Sequence, residues 1–292
     1  MSSLDKRTFQ FLQLGLAILV MSSSGTLGRF VGIQPEQTIW ARCVVGAIVL
    51  FAYLKFSNTP TYLGWGRSFR TVSISALFLG VHWVTYFYAL KYTSVAIGML
   101  SLFTYPVITA VLEPCILGYK HKLADVLVAL LAFTGVFFLV PAYTFGNQVT
   151  LGIAFGVVSA ILYSVRNILL KKDIGEHSGI TLMYYQLAIL SIVMFPVIYL
   201  GDVGSNLHGI GGNWQPLLIL GVLTTAVGHT LFVSSFRYFS ITTISIISSL
   251  TPLFGIGLGL LFLGEIPQPK VLIGGGIILS SVIVESIRST KR

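Results

Sequence analysis

Charge is scarce in this chain. Only 9% of its 292 residues are charged, against roughly 25% in soluble domains. With 55% hydrophobic residues and a mean hydropathy of +0.88, the chain cannot cover a water-facing surface, which argues against an ordinary soluble domain and for an integral membrane protein. Cysteine is equally thin: Cys43 and Cys115 fall within or at the end of apolar stretches, which suits small buried thiols better than a disulfide or a metal site. No G-x-x-x-x-G-K-S/T occurs and no connection is long enough for an ATPase domain, so primary pumping is disfavoured. H-E-x-x-H and G-x-S-x-G are absent as well. His121-Lys122-Leu123-Ala124-Asp125 puts only three residues between its histidine and aspartate, so a membrane-embedded enzyme has little support. No ring of charge or repeated filter sequence points to a channel. Nothing calls for a cofactor.

What is present is a series of long apolar stretches. A bilayer core of about 30 Å takes about 20 apolar helical residues per crossing, and ten stretches fit: 9–31, 37–55, 71–91, 94–116, 124–143, 150–170, 180–200, 215–236, 239–262 and 270–287. The longest connections, 56–70 and 201–214, leave no room for a soluble domain. The net charge of +9 is spread over short loops and forms no patch for nucleic acid. It follows topology instead. With a cytoplasmic N-terminus, the inner side carries Lys6, Arg7, Lys55, Arg67, Arg70, Lys120, Lys122, Lys171, Lys172, Arg237, Arg288, Lys291 and Arg292, and the outer side only Lys91 and Lys270. That bias places both termini inside, as in a multi-pass protein of the cell (inner) membrane. Lys6-Arg7 followed by an apolar run and Ser22-Ser23-Ser24-Gly25 imitates a signal peptide. The same segment has a counterpart at 151–166, where cleavage makes no sense, so the first span is expected to be retained.

The chain also repeats itself. Lys91-Tyr92-Thr93-Ser94 with Tyr105-Pro106 returns 146 positions later as Arg237-Tyr238-Phe239-Ser240 with Thr251-Pro252. Leu14-Gly15-Leu16-Ala17, Ser22 and Arg29 match Leu151-Gly152-Ile153-Ala154, Ser159 and Arg166. Two repeats result, 1–146 with spans one to five and 147–292 with spans six to ten. Five is odd, so the second copy enters the membrane from the opposite side. The loop with Gly118, Lys120, His121 and Lys122 then falls inside, and its counterpart with Gly264, Glu265 and Lys270 outside. Inverted repeats of this kind rock about a central site in many transporters.

An ionisable side chain at mid-bilayer costs about 2.5 to 3.5 kcal/mol on insertion scales, so each one asks for a reason. His82 lies near the centre of span three, with Tyr86 one turn on; the two suit either a donor and acceptor pair for a solute or a structural histidine. His229 in span eight is within one position of the repeat equivalent of His82. Both histidines titrate near neutrality and admit a proton as coupling ion. Glu113 in span four suits a coupling carboxylate, a gate partner or a structural ion pair. Arg42 in span two is placed to pair with Glu36 or a backbone carbonyl, whereas Arg29 and Arg166 are expected to snorkel to the interface. Ser22, Ser23 and Ser24 in span one and Ser159, Tyr163 and Asn167 in span six form matched polar sets, which either line a cavity or bond back to their own helices. Trp83, Phe87, Phe103 and Tyr105 add aromatic surface. Pro106 and Pro252, near the middle of spans four and nine, read as packing kinks or as hinges lining a cavity. The glycines of spans nine and ten suit close helix packing.

Ten spans as five plus five, basic inner loops, Arg42 early in span two, Pro106 and Pro252, and Leu263-Gly264-Glu265 after span nine resemble the EamA family of the drug/metabolite transporter superfamily. The resemblance covers the whole chain. It implies an all-α fold of ten transmembrane helices in two inverted repeats, with a cavity lined mainly by spans one, three, four, six, eight and nine. It implies a carrier of amino acids, other small metabolites or drugs, commonly outward. The sequence departs from the family pattern at Met21-Ser22-Ser23-Ser24, where many members have a Trp-Gly-like pair, and at Gly118-Tyr119, where the second repeat has Gly264-Glu265. The function expected is a secondary transporter of small organic solutes working by alternating access, as monomer or homodimer, without metal. A lipid flippase or scramblase is the alternative, and an intramembrane enzyme would need Glu113, His82 and His229 around one cleft.

Overall fold

The computed structural model describes residues 3–57, 59–118, 123–139, 147–200, 203–239, 244 and 247–290, and among these the regular structure is helical with no strand. The Lys120-His121-Lys122 loop, Ser240, Lys291-Arg292 and the 140–146 junction of the two expected repeats lie outside the described residues. Among the described residues, seven stretches are long and apolar enough to cross a membrane: Thr8–Phe30, Pro35–Phe56, Arg67–Tyr92, Val95–Leu117, Gln148–Lys171, Gly179–Tyr199 and Trp214–Ser235. Two shorter apolar helices cover Val126–Leu139 and Leu250–Leu263.

The chain divides into two compact units, residues 1–80 with 169–239 and residues 81–168 with 240–292. Neither is a sequence half, since each draws on both. Unit one holds α1 (Ser3–Phe30), α2 (Pro35–Phe56), the start of α3 (Arg67–Tyr92), α8 (Gly179–Val193), α9 (Pro196–Tyr199), α10 (Val203–Gly212), α11 (Trp214–Ile219), a π-helix (Leu220–His229) and α12 (Thr230–Ser235). Unit two holds the rest of α3, α4 (Val95–Leu102), α5 (Tyr105–Leu117), α6 (Leu123–Leu139), most of α7 (Gln148–Asp173), α13 (Leu250–Leu263) and α14 (Pro269–Thr290).

Local chemistry sets the helix ends. Ser94 caps α4 by accepting from the Ile97 amide at 3.2 Å, and the Glu265 carboxylate accepts from the Val95 amide at 2.7 Å. Two of the amides that a helix start leaves unmatched are thereby satisfied, and an acidic group lies at the positive end of the helix dipole. Helices α5 and α13 end alike, on Gly118 (φ +80°) and Gly264 (φ +66°), a backbone region that glycine enters without steric cost. Pro106 and Pro252 are not mid-helix kinks. The helix breaks at Phe103-Thr104, so Pro106 is the second residue of α5, and Pro252 is the third of α13. In a first turn the missing N–H removes no intrahelical bond. Cys43 is buried as expected, but Cys115 is exposed, in the last turn of α5 where Leu117 and Gly118 are exposed too.

Each unit contains an antiparallel helix pair. In unit one, Trp40 Nε1 of α2 donates to the Ser191 carbonyl of α8 at 3.0 Å, while further along α2 the Phe51 ring meets Tyr184 at 5.9 Å. In unit two, α6 and α14 cross at Gly135 and Gly274, and at the far end Arg288 donates to the Ala124 carbonyl at 2.8 Å. The crossing admits no side chain, since a Cβ on Gly274 would lie 2.7 Å from the Gly135 carbonyl oxygen, which is backbone and cannot yield. Overpacking of this kind costs about 1–3 kcal/mol. Gly274→Ala should therefore lower the melting temperature in detergent by several degrees. Gly276→Ala, one helical step pair away with nothing within 4 Å, should leave it unchanged, and equal melting of both variants would contradict the crossing.

Candidate functional site

In unit two, polar side chains of three helices meet inside an apolar interior. His82 and Tyr86 come from α3, Ser159, Tyr163, Arg166 and Asn167 from α7, and Tyr105 opens α5 just after the break; all are buried. His82 Nδ1 stands 2.7 Å from Ser159 Oγ and 3.1 Å from the Ser159 carbonyl oxygen. A carbonyl only accepts, so Nδ1 carries the ring hydrogen. The Ser159 hydroxyl donates in turn to the His82 carbonyl at 2.8 Å. The two residues form a reciprocal clasp that fixes the tautomer and makes Nε2 the acceptor of the neutral ring. This orientation is not that of a nucleophile and its base, because Nδ1 already donates to the serine.

Aromatic rings extend from the clasp. Tyr163 stacks on His82 with centroids 4.4 Å apart and planes inclined by 22°. Tyr105 meets Tyr163 edge-on at 4.9 Å, and Phe103 meets Tyr105 at 5.5 Å. Tyr86 lies nearly parallel to His82 at 6.4 Å. These are the stacked and edge-to-face geometries that ring quadrupoles favour. Ser164 Oγ donates to the Tyr105 carbonyl at 3.0 Å, which ties the start of α5 to α7.

Arg166 departs from the sequence expectation. Arg29 is exposed, but Arg166 is 0% exposed. Its Nη1 donates to Asn167 Oδ1 at 3.0 Å, and the guanidinium carbon lies 6.0 Å from the centroid of the Tyr163 ring. With an amide and a π face in reach, the side chain turns inward. Glu113 is half-buried in α5, eight residues or about 12 Å along the helix from Tyr105.

The remaining sequence candidates lie in unit one. Ser22 and Ser23 bond back to their own helix, to the Leu19 and Val20 carbonyls at 2.6 and 2.7 Å. His229 is buried at the end of the π-helix. Arg42, 0% exposed, donates through Nε to Thr225 Oγ1 at 2.8 Å, through Nη2 to Thr224 Oγ1 at 3.1 Å and through Nη1 to Ser24 Oγ at 3.5 Å. Its partners thus include hydroxyls that the sequence reading did not name.

Sequence reasoning also missed Ser159 as the partner of His82, having matched it only with Ser22. It missed the buried bond from Gln186 Nε2 to Ser75 Oγ at 2.6 Å. A usable signal existed for Thr224-Thr225: adjacent hydroxyls inside an apolar span, in a chain with an arginine buried elsewhere.

The EamA-like transporter family model matches residues 10–140 and again residues 150–287. An uncharacterized transporter of Archaeoglobus fulgidus is 28% identical, over 94% of this chain and 97% of that protein. The uncharacterized transporter YxxF of Bacillus subtilis is 24% identical over 98% and 92%, and the pseudopaline exporter CntI of Pseudomonas aeruginosa 22% identical over 92% and 89%. One solved crystal structure matches with a TM-score of 0.69 at 17% identity, covering 97% of this chain and 98% of that one, a likeness of fold. The chain belongs to the EamA-like transporter family and is a multi-pass membrane protein.

Removing either partner of the clasp strands buried polar groups, at about 1–3 kcal/mol. His82→Ala and Ser159→Ala should each destabilise the detergent-solubilised protein, and the double variant should be less destabilised than the sum by at least about 0.5 kcal/mol. Strict additivity in denaturant unfolding would show that the two residues are not coupled.

Proposed function

We propose that this chain is a secondary transporter that moves a small organic solute across the cell membrane by alternating access, with amino acids or related metabolites as cargo and export as its direction. The observation that carries this reading is the His82 set: a tautomer-fixed imidazole against stacked phenol rings, beside a broken helix, in a member of a transporter family. Discontinuous helices form the binding sites of many secondary transporters, and a few placed polar groups among apolar and aromatic walls suit a small solute. Such a set binds reversibly by hydrogen bonding and ring contact. The exporter among the relatives supports the outward direction.

The ten-span, two-repeat architecture, with both termini cytoplasmic, is part of the same proposal. The family model matches in two successive stretches, and the antiparallel pairs α2 with α8 and α6 with α14 join helices at corresponding places in the two halves. That pairing is what an inverted duplication about an internal two-fold axis produces. Pro106 and Pro252 open corresponding helices and serve as hinges. Imidazole is the side chain whose ordinary range lies nearest physiological pH, so with His82 and His229 buried in the spans a proton gradient is the first coupling force to try.

Purified protein in proteoliposomes should exchange at least one member of a labelled amino-acid and metabolite panel. His82→Ala and Tyr86→Phe should slow that exchange about tenfold, which corresponds to roughly 1.4 kcal/mol of lost contact, with membrane insertion unchanged. Wild-type rates in both variants would remove the His82 set from the solute path. Movement of labelled phospholipid, and of no solute with or without a proton gradient, would replace the reading with a lipid flippase.

A further inference from the structure

A guanidinium inside an apolar membrane bundle is costly, and the way Arg42 is held gives it a use. Its Nε and Nη2 meet Thr225 and Thr224 at 2.8 and 3.1 Å. Both threonines sit in the Leu220–His229 π-helix, and both hydroxyls donate to one acceptor, the Leu220 carbonyl oxygen, at 2.8 Å each. Their hydrogens are committed there, so toward Arg42 their oxygens can only accept.

One of those bonds reaches back four residues and the other five, the second being the π-helical spacing. A wider turn rotates successive side chains apart by less than an α-turn does. Neighbouring residues 224 and 225 can then share a face and meet a single planar fork, which lysine, a compact point charge, cannot offer. The backbones come close enough because two glycines meet at the crossing. A Cβ on Gly221 would lie 2.5 Å from Val45 Cγ1 and 3.3 Å from the Arg42 carbonyl, and one on Gly46 would lie 3.4 Å from the Gly221 carbonyl. The end of the segment is held on its other side, where a Cβ on Gly228 would meet Met21 Cγ of α1 at 3.0 Å.

We propose that Arg42 is a positioning residue: by reading Thr224 and Thr225 together it holds Leu220–His229 in the π form and so sets the face on which His229, the last residue of that segment, is presented. Without the fork the segment reverts to four-residue spacing, and His229 turns about the helix axis. The role of Arg42 in transport rests on the reading of His229 as part of the solute path; its effect on the geometry of His229 does not.

The test uses the full-length protein with 15N-labelled histidine in detergent micelles, the His229 ring signal being identified by its loss in His229→Asn. Arg42→Lys keeps the charge and removes the fork, Thr225→Val keeps the volume and removes the hydroxyl, and Thr225→Ser keeps the hydroxyl. Arg42→Lys and Thr225→Val should shift the His229 ring signal and slow counterflow of labelled amino acids from proteoliposomes at least tenfold, while Thr225→Ser stays near wild type in both. An unshifted His229 signal in the folded Thr225→Val protein overturns the proposal, whether or not Arg42→Lys folds. If the signal shifts in Arg42→Lys but His229→Asn transports at the wild-type rate, the positioning stands and His229 leaves the solute path.

Discussion

Hydrocarbon offers no hydrogen bonds, so a helix of this chain that stops within the bilayer core must be closed by the chain itself, and several of the described helix ends are closed in this way. The α3–α4 junction is closed by Ser94 and by the Glu265 carboxylate brought from the loop after α13. The break between α4 and α5 is closed on one side by the Phe103 amide, which reaches the Met99 carbonyl at 2.9 Å, and on the other by Thr104, whose carbonyl accepts from Ile108 at 3.1 Å. Pro106 removes a donor at the point where a donor would be hardest to satisfy. At the far ends, Gly118 and Gly264 turn left-handed and bond back to the Pro114 and Leu260 carbonyls. The repeated Tyr-x-Ser and Pro signals in the sequence thus include positions where a spanning helix begins, and the glycines mark where it ends.

The same constraint explains the polar side chains. Histidine, arginine, glutamine and serine are costly in this setting unless their groups are matched; some, such as Ser22 and Ser23, are matched within their own helix, and three of the matches made here join different helices. His82 and Ser159 tie α3 to α7, Gln186 and Ser75 tie α8 to α3, and Arg42 ties α2 to the π-helix. Each bond therefore fixes a helix register as well as satisfying a polar group. In the His82 clasp this has a chemical result. Because the carbonyl of Ser159 requires a hydrogen on Nδ1, the other nitrogen is the acceptor whenever the ring is neutral, and the ring is held against Tyr163 in a defined orientation. A polar group in lipid can be retained for binding when one half of it is fully engaged in structure.

The helical class, the membrane setting and the family were legible from composition, span length and the order of a few motifs. The polar residues were legible one by one, because a histidine or arginine in an apolar run stands out. Their partners were not. Ser159 lies 77 residues from His82, and Thr225 lies 183 from Arg42, and no periodicity within one helix reports a contact at that distance. Pro106 and Pro252 look mid-helix in the sequence, as kinks or cavity-lining hinges, because a proline inside a long apolar run looks internal, although Thr104 and Ser249 just ahead of them are residues of helix-start type. Arg166 was assigned to the interface by counting turns to the helix end. Depth along a span says nothing of which side the residue faces, and Asn167 and Tyr163 drew it inward.

The division of the chain into units bears on what a duplication means physically. If the halves were independent domains, each unit would follow one half of the sequence. Instead each unit pairs helices from both, α2 against α8 and α6 against α14, and both pairs run antiparallel. An antiparallel pairing of such elements is the arrangement that the proposed inverted duplication, with an odd number of crossings per copy, would produce. In that arrangement neither half has a complete partner surface of its own: the face of Gly135 is completed by Gly274, and that of Gly46 by Leu187 and Gly221. At Gly135 and Gly274 the backbones approach too closely for a side chain to lie between them, so the two helices of that pair cannot shift independently there. That physical coupling is what the proposed exchange of conformations between halves requires.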